Sequence, residues 1–196
     1  MRGDFGAWVL CHLARVARWN GSVWSAVGGG VLGGWINALA SFDDGAGPAL
    51  YAGGSFLNAD GQPAERLARW DGARWSAVGS GVNNSVRALA VVNDGTGPAL
   101  FAGGDFTRLT GGITANHLVR WGGGFLSGVR SGVTGNVYAI GSLPVPGGGA
   151  RLAVGGTFTG AGTATTRRIA ALEGDRFVEI GQGFDSLVAT LAVFDS

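Results

Sequence analysis

The chain contains no lysine: all 14 of its basic residues are arginine. That excludes a phosphate-binding loop of the Walker type and any Schiff-base chemistry, since both require a lysine amine. One cysteine, Cys11, excludes an internal disulfide and leaves the redox compartment open. Two histidines, His12 and His117, are too few for structural zinc, which takes four Cys or His ligands. Charged residues make up only 14% of the chain, and the net charge of +1 gives no electrostatic basis for binding nucleic acid or an anionic membrane. No apolar run approaches the ~18 residues of a membrane helix. The apolar stretch from Ala7 to Leu13 is interrupted by His12 and followed by Arg15 and Arg18, which is not the pattern of an export signal.

What the chain does have is glycine, 39 residues of 196, together with 46% hydrophobic residues and seven tryptophans. Disorder and a packed core compete in such a composition. Short buried strands punctuated by glycine turns satisfy both halves of it. The repetition settles the matter. GPALYAGGSF, ending at Phe56, returns as GPALFAGGDF, ending at Phe106. Four series keep one period of 50 to 52 residues: Phe5, Phe56, Phe106 and Phe158; Trp19, Trp70, Trp121 and Leu172; Trp24, Trp75, Leu126 and Phe177; Leu39, Leu89, Ile140 and Leu191. A period in this range marks a solenoid, a propeller or another repeat array.

Each period reads as four short strands, a to d, with no sustained 3.6-residue apolar pattern. In one copy these are Val86 to Val92, Ala99 to Gly104, the HLVRW stretch ending at Trp121, and the segment matching Arg74 to Val78. Strand a is apolar at nearly every position and is expected to be buried on both faces. Four antiparallel strands per unit of about 51 residues describe a β-propeller blade, so the expected fold is all-β: a propeller or an open propeller arc. The glycine pairs Gly53-Gly54, Gly103-Gly104 and Gly155-Gly156 are expected where backbones come close, in a conformation with positive φ.

A double glycine after the second strand, then an aromatic on the third and a tryptophan on the fourth, resembles the kelch motif: here Gly53-Gly54, Trp70 and Trp75, then Gly103-Gly104 and Trp121. The fuller wording AGGSF…LARWDGARWSAVGSGVNNSVRALAV is similar to repeats of bacterial secreted surface proteins and to the propeller region of fungal cortical-marker proteins. Tryptophan stands where kelch repeats usually carry tyrosine, the two aromatics are closer together, and the last copy has Ala171-Leu172 for Arg-Trp. The resemblance implies the propeller fold, and surface display or partner binding in an extracellular setting.

The unit boundaries are a partial blade at 1–30, blades at 31–82, 83–133 and 134–184, and the first strand of a further blade at 185–196. Either the two ends combine into a fourth blade that lacks strand b, or the chain is part of a larger ring. The second reading is preferred, because a closing blade should supply its middle strand. Open blade edges then invite self-association.

Candidate chemistry is sparse. His117 occupies the slot held by Arg15, Arg66 and Arg168, a structural position, and no metal or cofactor is expected. Asp43-Asp44-Gly45 and Asn93-Asp94-Gly95 lack the alternating acidic pattern of calcium loops and read as turns. There is no nucleophile elbow. The three glutamates, Glu65, Glu173 and Glu179, do not recur between copies, and Tyr51 and Tyr138 provide poorly for a copper–radical centre. Gly28 to Gly33 fits G-x-G-x-x-G, but in a strand connection rather than at a helix start. Arg2-Gly3-Asp4 is the repeat's own GGDF wording and not an adhesion signal. The arginines at 18, 69 and 120, and at 15, 66 and 168, are expected within strands, paired with local acids or stacked on tryptophan. Binding is expected instead on the b–c and d–a loops, which vary most between copies, with Asn58, Asp60, Asn83, Asn84, Arg108 and Asn136 as candidates. The functional expectation is a non-catalytic binding or display module for a protein or glycan; the alternative is a propeller hydrolase or lyase acting on polysaccharide.

Overall fold

The computed structural model describes residues 15–145 and 149–192. The Phe5 marker, Cys11, His12 and Arg2-Gly3-Asp4 lie outside the described residues, as does the end of the last expected strand at 193–196. The described chain is all-β and contains no helix, so none is long and apolar enough to cross a membrane.

Three four-stranded antiparallel sheets follow one another, each a simple up-and-down meander. The first is β4 (Ile36–Asp43), β5 (Pro48–Gly54), β8 (Leu67–Trp70) and β9 (Trp75–Ala77). The second is β10 (Val86–Asn93), β11 (Pro98–Gly104), β12 (Leu118–Gly122) and β13 (Phe125–Gly128). The third is β14 (Val137–Pro144), β15 (Ala150–Gly156), β18 (Ile169–Glu173) and β19 (Arg176–Glu179). Ahead of them a hairpin, β1 (Ala17–Trp19) and β2 (Trp24–Ala26), matches the outer pair of each sheet. Short pairings tie each sheet to its predecessor. β3 (Val31–Leu32) pairs with β6 (Asn58–Ala59), which pairs with β7 (Gln62–Pro63), while β16 (Gly160–Ala161) and β17 (Ala164–Thr165) form the matching loop hairpin of the third sheet.

The apolar cores lie between sheets, not within them. One joins the hairpin to the first sheet through Val27, Phe56 and Trp75; the second joins the first and second sheets through Tyr51, Val86 and Phe106; the third joins the second and third through Phe101, Val137 and Phe158. Phe56, Phe106 and Phe158 are almost fully enclosed. Each contributes roughly 1.5–3 kcal/mol by leaving water. A single sheet offers no such enclosure, so successive copies need one another.

The glycine pairs explain how closely the sheets nest, and the two members do different work. A Cβ on Gly53 would stand 2.5 Å from Val86 Cγ1 on the next sheet, and Gly103 faces Val137 in the same way. The second member, at Gly54, Gly104 or Gly156, lies under the carbonyl of Trp35, Ser85 or Asn136 in its own sheet, where any side chain would collide with backbone. There each first strand carries a register shift, which leaves Asn37, Arg87 and Tyr138 as the bulge residues. None of the six glycines has a positive φ, contrary to expectation; close approach alone requires them.

Strand a is also less buried than its composition suggests. In β10, Arg87 and Val91 are exposed, and Leu39 of β4 is 50% exposed. Both faces of β10 nonetheless enter a core, Val86 and Leu89 that shared with the first sheet and Val92 and Ala90 that shared with the third, so the exposure is local. The segment 187–192 pairs in no ladder, yet Val188 sits on Gly155 as Val86 sits on Gly53, and its N–H donates to the Gly156 carbonyl at 3.2 Å.

Candidate functional site

The loop residues singled out in the sequence are brought to one side, where most of them bind their own scaffold. Asp60, in the left-handed region at φ 48°, accepts the Gly29 N–H through Oδ1 and the Trp75 N–H through Oδ2 at 2.7 Å. Asn83 Oδ1 accepts the N–H groups of Thr107 (2.9 Å) and Arg108 (3.0 Å), and Thr134 Oγ1 does the same for Thr159 and Gly160 one unit later. Asn58 is paired within β6. Asn84 bonds the adjacent Ser85 N–H. Asn136 lends its carbonyl to Thr157, and Arg108 is exposed and bridges to Thr114 through its backbone. The polar side chains of this face act mainly as struts between a linker and the following loop.

The arginines divide into two sets. Arg66 and Arg168 precede their strands and do not lie within them. With Arg15 and His117 they share a left-handed backbone (φ 56° to 73°). Arg66 donates to the Val82 carbonyl at 2.9 Å and Arg168 to the Phe184 carbonyl at 3.3 Å, while His117 Nδ1 lies 3.1 Å from the Gly104 carbonyl. Arg69 and Arg120 do lie in strands, beside Asp44 (3.8 Å) and Asp94 (3.6 Å). The glutamates are also engaged: Glu65 with Arg66 at 3.1 Å, Glu173 with Arg151 at 2.8 Å, and Glu179 with the Arg167 N–H at 2.6 Å. Among the described residues no three His, Cys, Asp or Glu side chains gather as a metal site would require. In the a–b turns, Asp43 Oδ1 accepts Gly45 and Gly47 N–H, and Asn93 Oδ1 accepts Gly95 and Gly97 N–H.

The two aspartates mark the place where one seam between sheets differs from the other. Between the first and second sheets, Asp44 Oδ2 accepts the Tyr51 hydroxyl at 2.8 Å and the Trp121 indole N–H at 3.2 Å, while the Ala46 N–H reaches Oδ1 at 3.1 Å. Burial alone would push the Asp44 carboxyl up. The bonds from Tyr51, Ala46 and Trp121, with the Arg69 charge, outweigh it and hold the carboxyl below the usual carboxylate range. Burial and the bond to Asp44 raise the Tyr51 hydroxyl. The Trp121 ring lies over Gly79, as the Trp70 ring lies over Gly28 one seam earlier. That seam is closed.

Between the second and third sheets three of these positions change together. Phe101 replaces tyrosine, Leu172 replaces tryptophan, and Arg130 replaces the glycine found at 28, 79 and 181. Asp94 Oδ1 accepts the Thr96 N–H (3.1 Å) and hydroxyl (2.6 Å), but Oδ2 has only the Arg120 guanidinium, at ion-pair distance. Arg120 Nη2 donates to Thr96 Oγ1 at 2.9 Å, and its buried Nε has no hydrogen-bond partner. The result is a cleft of about 280 Å³ lined by Asp94, Thr96, Arg120, Val129, Arg130 and Leu172. Arg130 is exposed at φ 51°, while Gly28, Gly79 and Gly181 have φ 57°, 57° and 62°. The chain thus holds an arginine in a backbone conformation that the other copies give to glycine. Sequence reasoning placed binding on the loops and missed this cleft. The three replacements are visible in the repeat alignment, but only the fold shows that they meet.

No protein-family model, curated protein or solved structure matches this chain.

Proposed function

We propose that the chain is a non-catalytic binding or display module, an arc of kelch-like β-propeller blades that presents a ligand site at a seam between blades. The surface setting comes from the repeat resemblance alone. Three sheets of one strand order, each nested on the next through a glycine and a valine, support the propeller arrangement. Val188 on Gly155 supports its continuation, because that contact repeats the same step at the far end. One observation carries the binding reading: on a scaffold whose neighbouring seam is filled by Tyr51, Trp121 and Gly79, replacements at Phe101, Arg130 and Leu172 open a polar cleft. Concave sites with a few convergent polar groups are where small ligands bind.

The test is retention on immobilised polysaccharides and proteins, with release of reducing ends followed in the same wells. Retention without cleavage is the expected result. Steady release of reducing ends, abolished by substitution of a glutamate or aspartate, would establish the polysaccharide-cleaving alternative instead.

A further inference from the structure

We propose that the cleft between the second and third sheets binds a sugar acid: a hydroxylated ring bearing a carboxylate, free or as one residue of an acidic polysaccharide. The inference rests on the binding-module reading and gives its ligand a chemical class.

The cleft states its requirements through what its neighbouring seam has and it lacks. Asp44 Oδ2 receives two donors, a phenol and an indole; Asp94 Oδ2 receives neither, because Phe101 and Leu172 stand in their places. A ligand here must therefore donate hydrogen bonds to Asp94. The donor is better neutral than cationic. Arg120 already stands 3.6 Å from the same carboxylate, so an ammonium would meet a like charge and gain little from an acid already paired. Hydroxyl groups meet this condition.

The second requirement is negative charge. Arg130 is exposed at the cleft and has no ion-pair or hydrogen-bond partner among the described residues. Guanidinium groups pair best with planar oxyanions, which can take two N–H donors at once. Arg130 is held in a left-handed conformation that costs roughly 1–2 kcal/mol for a side-chain-bearing residue, at a position where glycine would serve the fold. Strain of this kind is a reason to look for function.

The third feature is size and lining. Leu172 and Val129 give one apolar wall suited to the C–H face of a ring. The volume of about 280 Å³ lies near the lower end of ligand sites, which run ~300–1,000 Å³. One monosaccharide unit suits such a space. Because the cleft opens to solvent beside Arg130, a unit within a chain can enter as well as a free acid.

The experiment is an NMR titration of the intact protein with D-glucuronate and D-galacturonate, with D-glucose and L-serine as controls. A uronate is expected to bind in the millimolar range, about tenfold or more tighter than glucose or serine, a factor of ten being 1.4 kcal/mol. Arg130→Gly installs the residue used at the same backbone geometry in three other copies, so it keeps the fold; it should weaken the uronate about tenfold and leave glucose unchanged. Phe101→Tyr with Leu172→Trp rebuilds the closed seam and should abolish uronate binding. Equal binding of glucose and uronate, preference for serine, no binding in the millimolar range, or binding that survives closure of the cleft would each overturn the proposal. If polysaccharides are still retained by the closed-seam variant while uronates do not bind, the cleft assignment fails and the module reading stands. Cleavage of polysaccharide sinks the module reading by itself.

Discussion

The seam between the first and second sheets and the seam between the second and third share strand order, the glycine–valine nesting and an Arg–Asp pair of similar length (3.8 and 3.6 Å). They differ at a few side chains. In the first seam an indole covers a glycine and joins a phenol in bonding one carboxylate; in the second a leucine, an arginine and a phenylalanine leave that carboxylate facing open space. The difference teaches that nesting and sealing are separate functions of the repeat. Backbone proximity at the glycine pair holds sheets together, while the Trp–Gly–Tyr set decides whether the outer part of the seam is filled. A repeat protein can therefore vary the second without losing the first.

Breaking what the seams share should have the largest effect. Gly53→Val and Gly103→Val each drive a branched side chain into the facing valine of the next sheet. Overpacking of this kind costs about 3 kcal/mol or more where the backbone cannot give way, and both substitutions should cost alike in urea unfolding followed by circular dichroism. Gly53→Ala meets the same Val86 methyl, and combining it with Val86→Ala should cost less than the two single losses added together; if the double variant is as unstable as their sum, the glycine is needed for another reason.

Opening the closed seam comes next. Trp121→Leu copies the residue at 172, removing the indole from Gly79 and one donor from Asp44. Truncating a large packed side chain and deleting a hydrogen bond to a carboxylate should together cost about 2–3 kcal/mol. A matched Leu172→Ala should cost less, because the cleft beside it is already open. Equal losses would mean that the seams are sealed elsewhere.

Much of this architecture was legible in the sequence, and the reasons are physical. Turn glycines, paired strands and buried Phe56, Phe106 and Phe158 must recur wherever the same mating surface recurs, so one period predicts all of them. What the sequence misplaced depends on contacts between copies. Trp121 meets Asp44 across 77 residues, and no local pattern announces that. Strand a reads as doubly buried and does enter a core on both faces, but Val91 is exposed, and Leu39, whose counterparts Leu89 and Ile140 pack against cores, is exposed where only a two-stranded hairpin precedes it. Asp60 and Asn83 read as binding candidates and are struts, their side-chain oxygens accepting backbone N–H groups from elsewhere in the scaffold.

The carboxylate of the closed seam gives a smaller, pH-dependent effect. Asp44 is held below the usual carboxylate range in the folded protein, so the fold favours its charged form. Its contribution is fully present above the unfolded carboxylate value, near pH 4, and is lost as pH falls through the lower folded value. The stability difference between the native protein and Asp44→Asn should therefore be constant at neutral pH and shrink below about pH 4. A difference that persists unchanged into strong acid would show that the carboxylate acts through packing and not through charge.

The smallest effect tests whether Arg130 is retained at the expense of stability. A left-handed conformation costs an L-residue about 1–2 kcal/mol, and glycine loses roughly 0.5–1 kcal/mol of that advantage through its unfolded-state entropy. Arg130→Gly should accordingly stabilise the protein by about 0.5–1 kcal/mol in urea titration. The reciprocal change sharpens the comparison. At Gly79 a Cβ would stand 2.9 Å from Leu126 Cβ and 3.4 Å from the Trp121 ring, so Gly79→Arg adds a steric penalty to the backbone strain. It should destabilise by more than Arg130→Gly stabilises, and pairing it with Trp121→Leu should relieve only the part owed to the ring, because the closer Leu126 Cβ contact remains. If Arg130→Gly leaves stability unchanged or lowers it, the arginine supports the seam through its own packing, and its place in the repeat no longer points to a ligand.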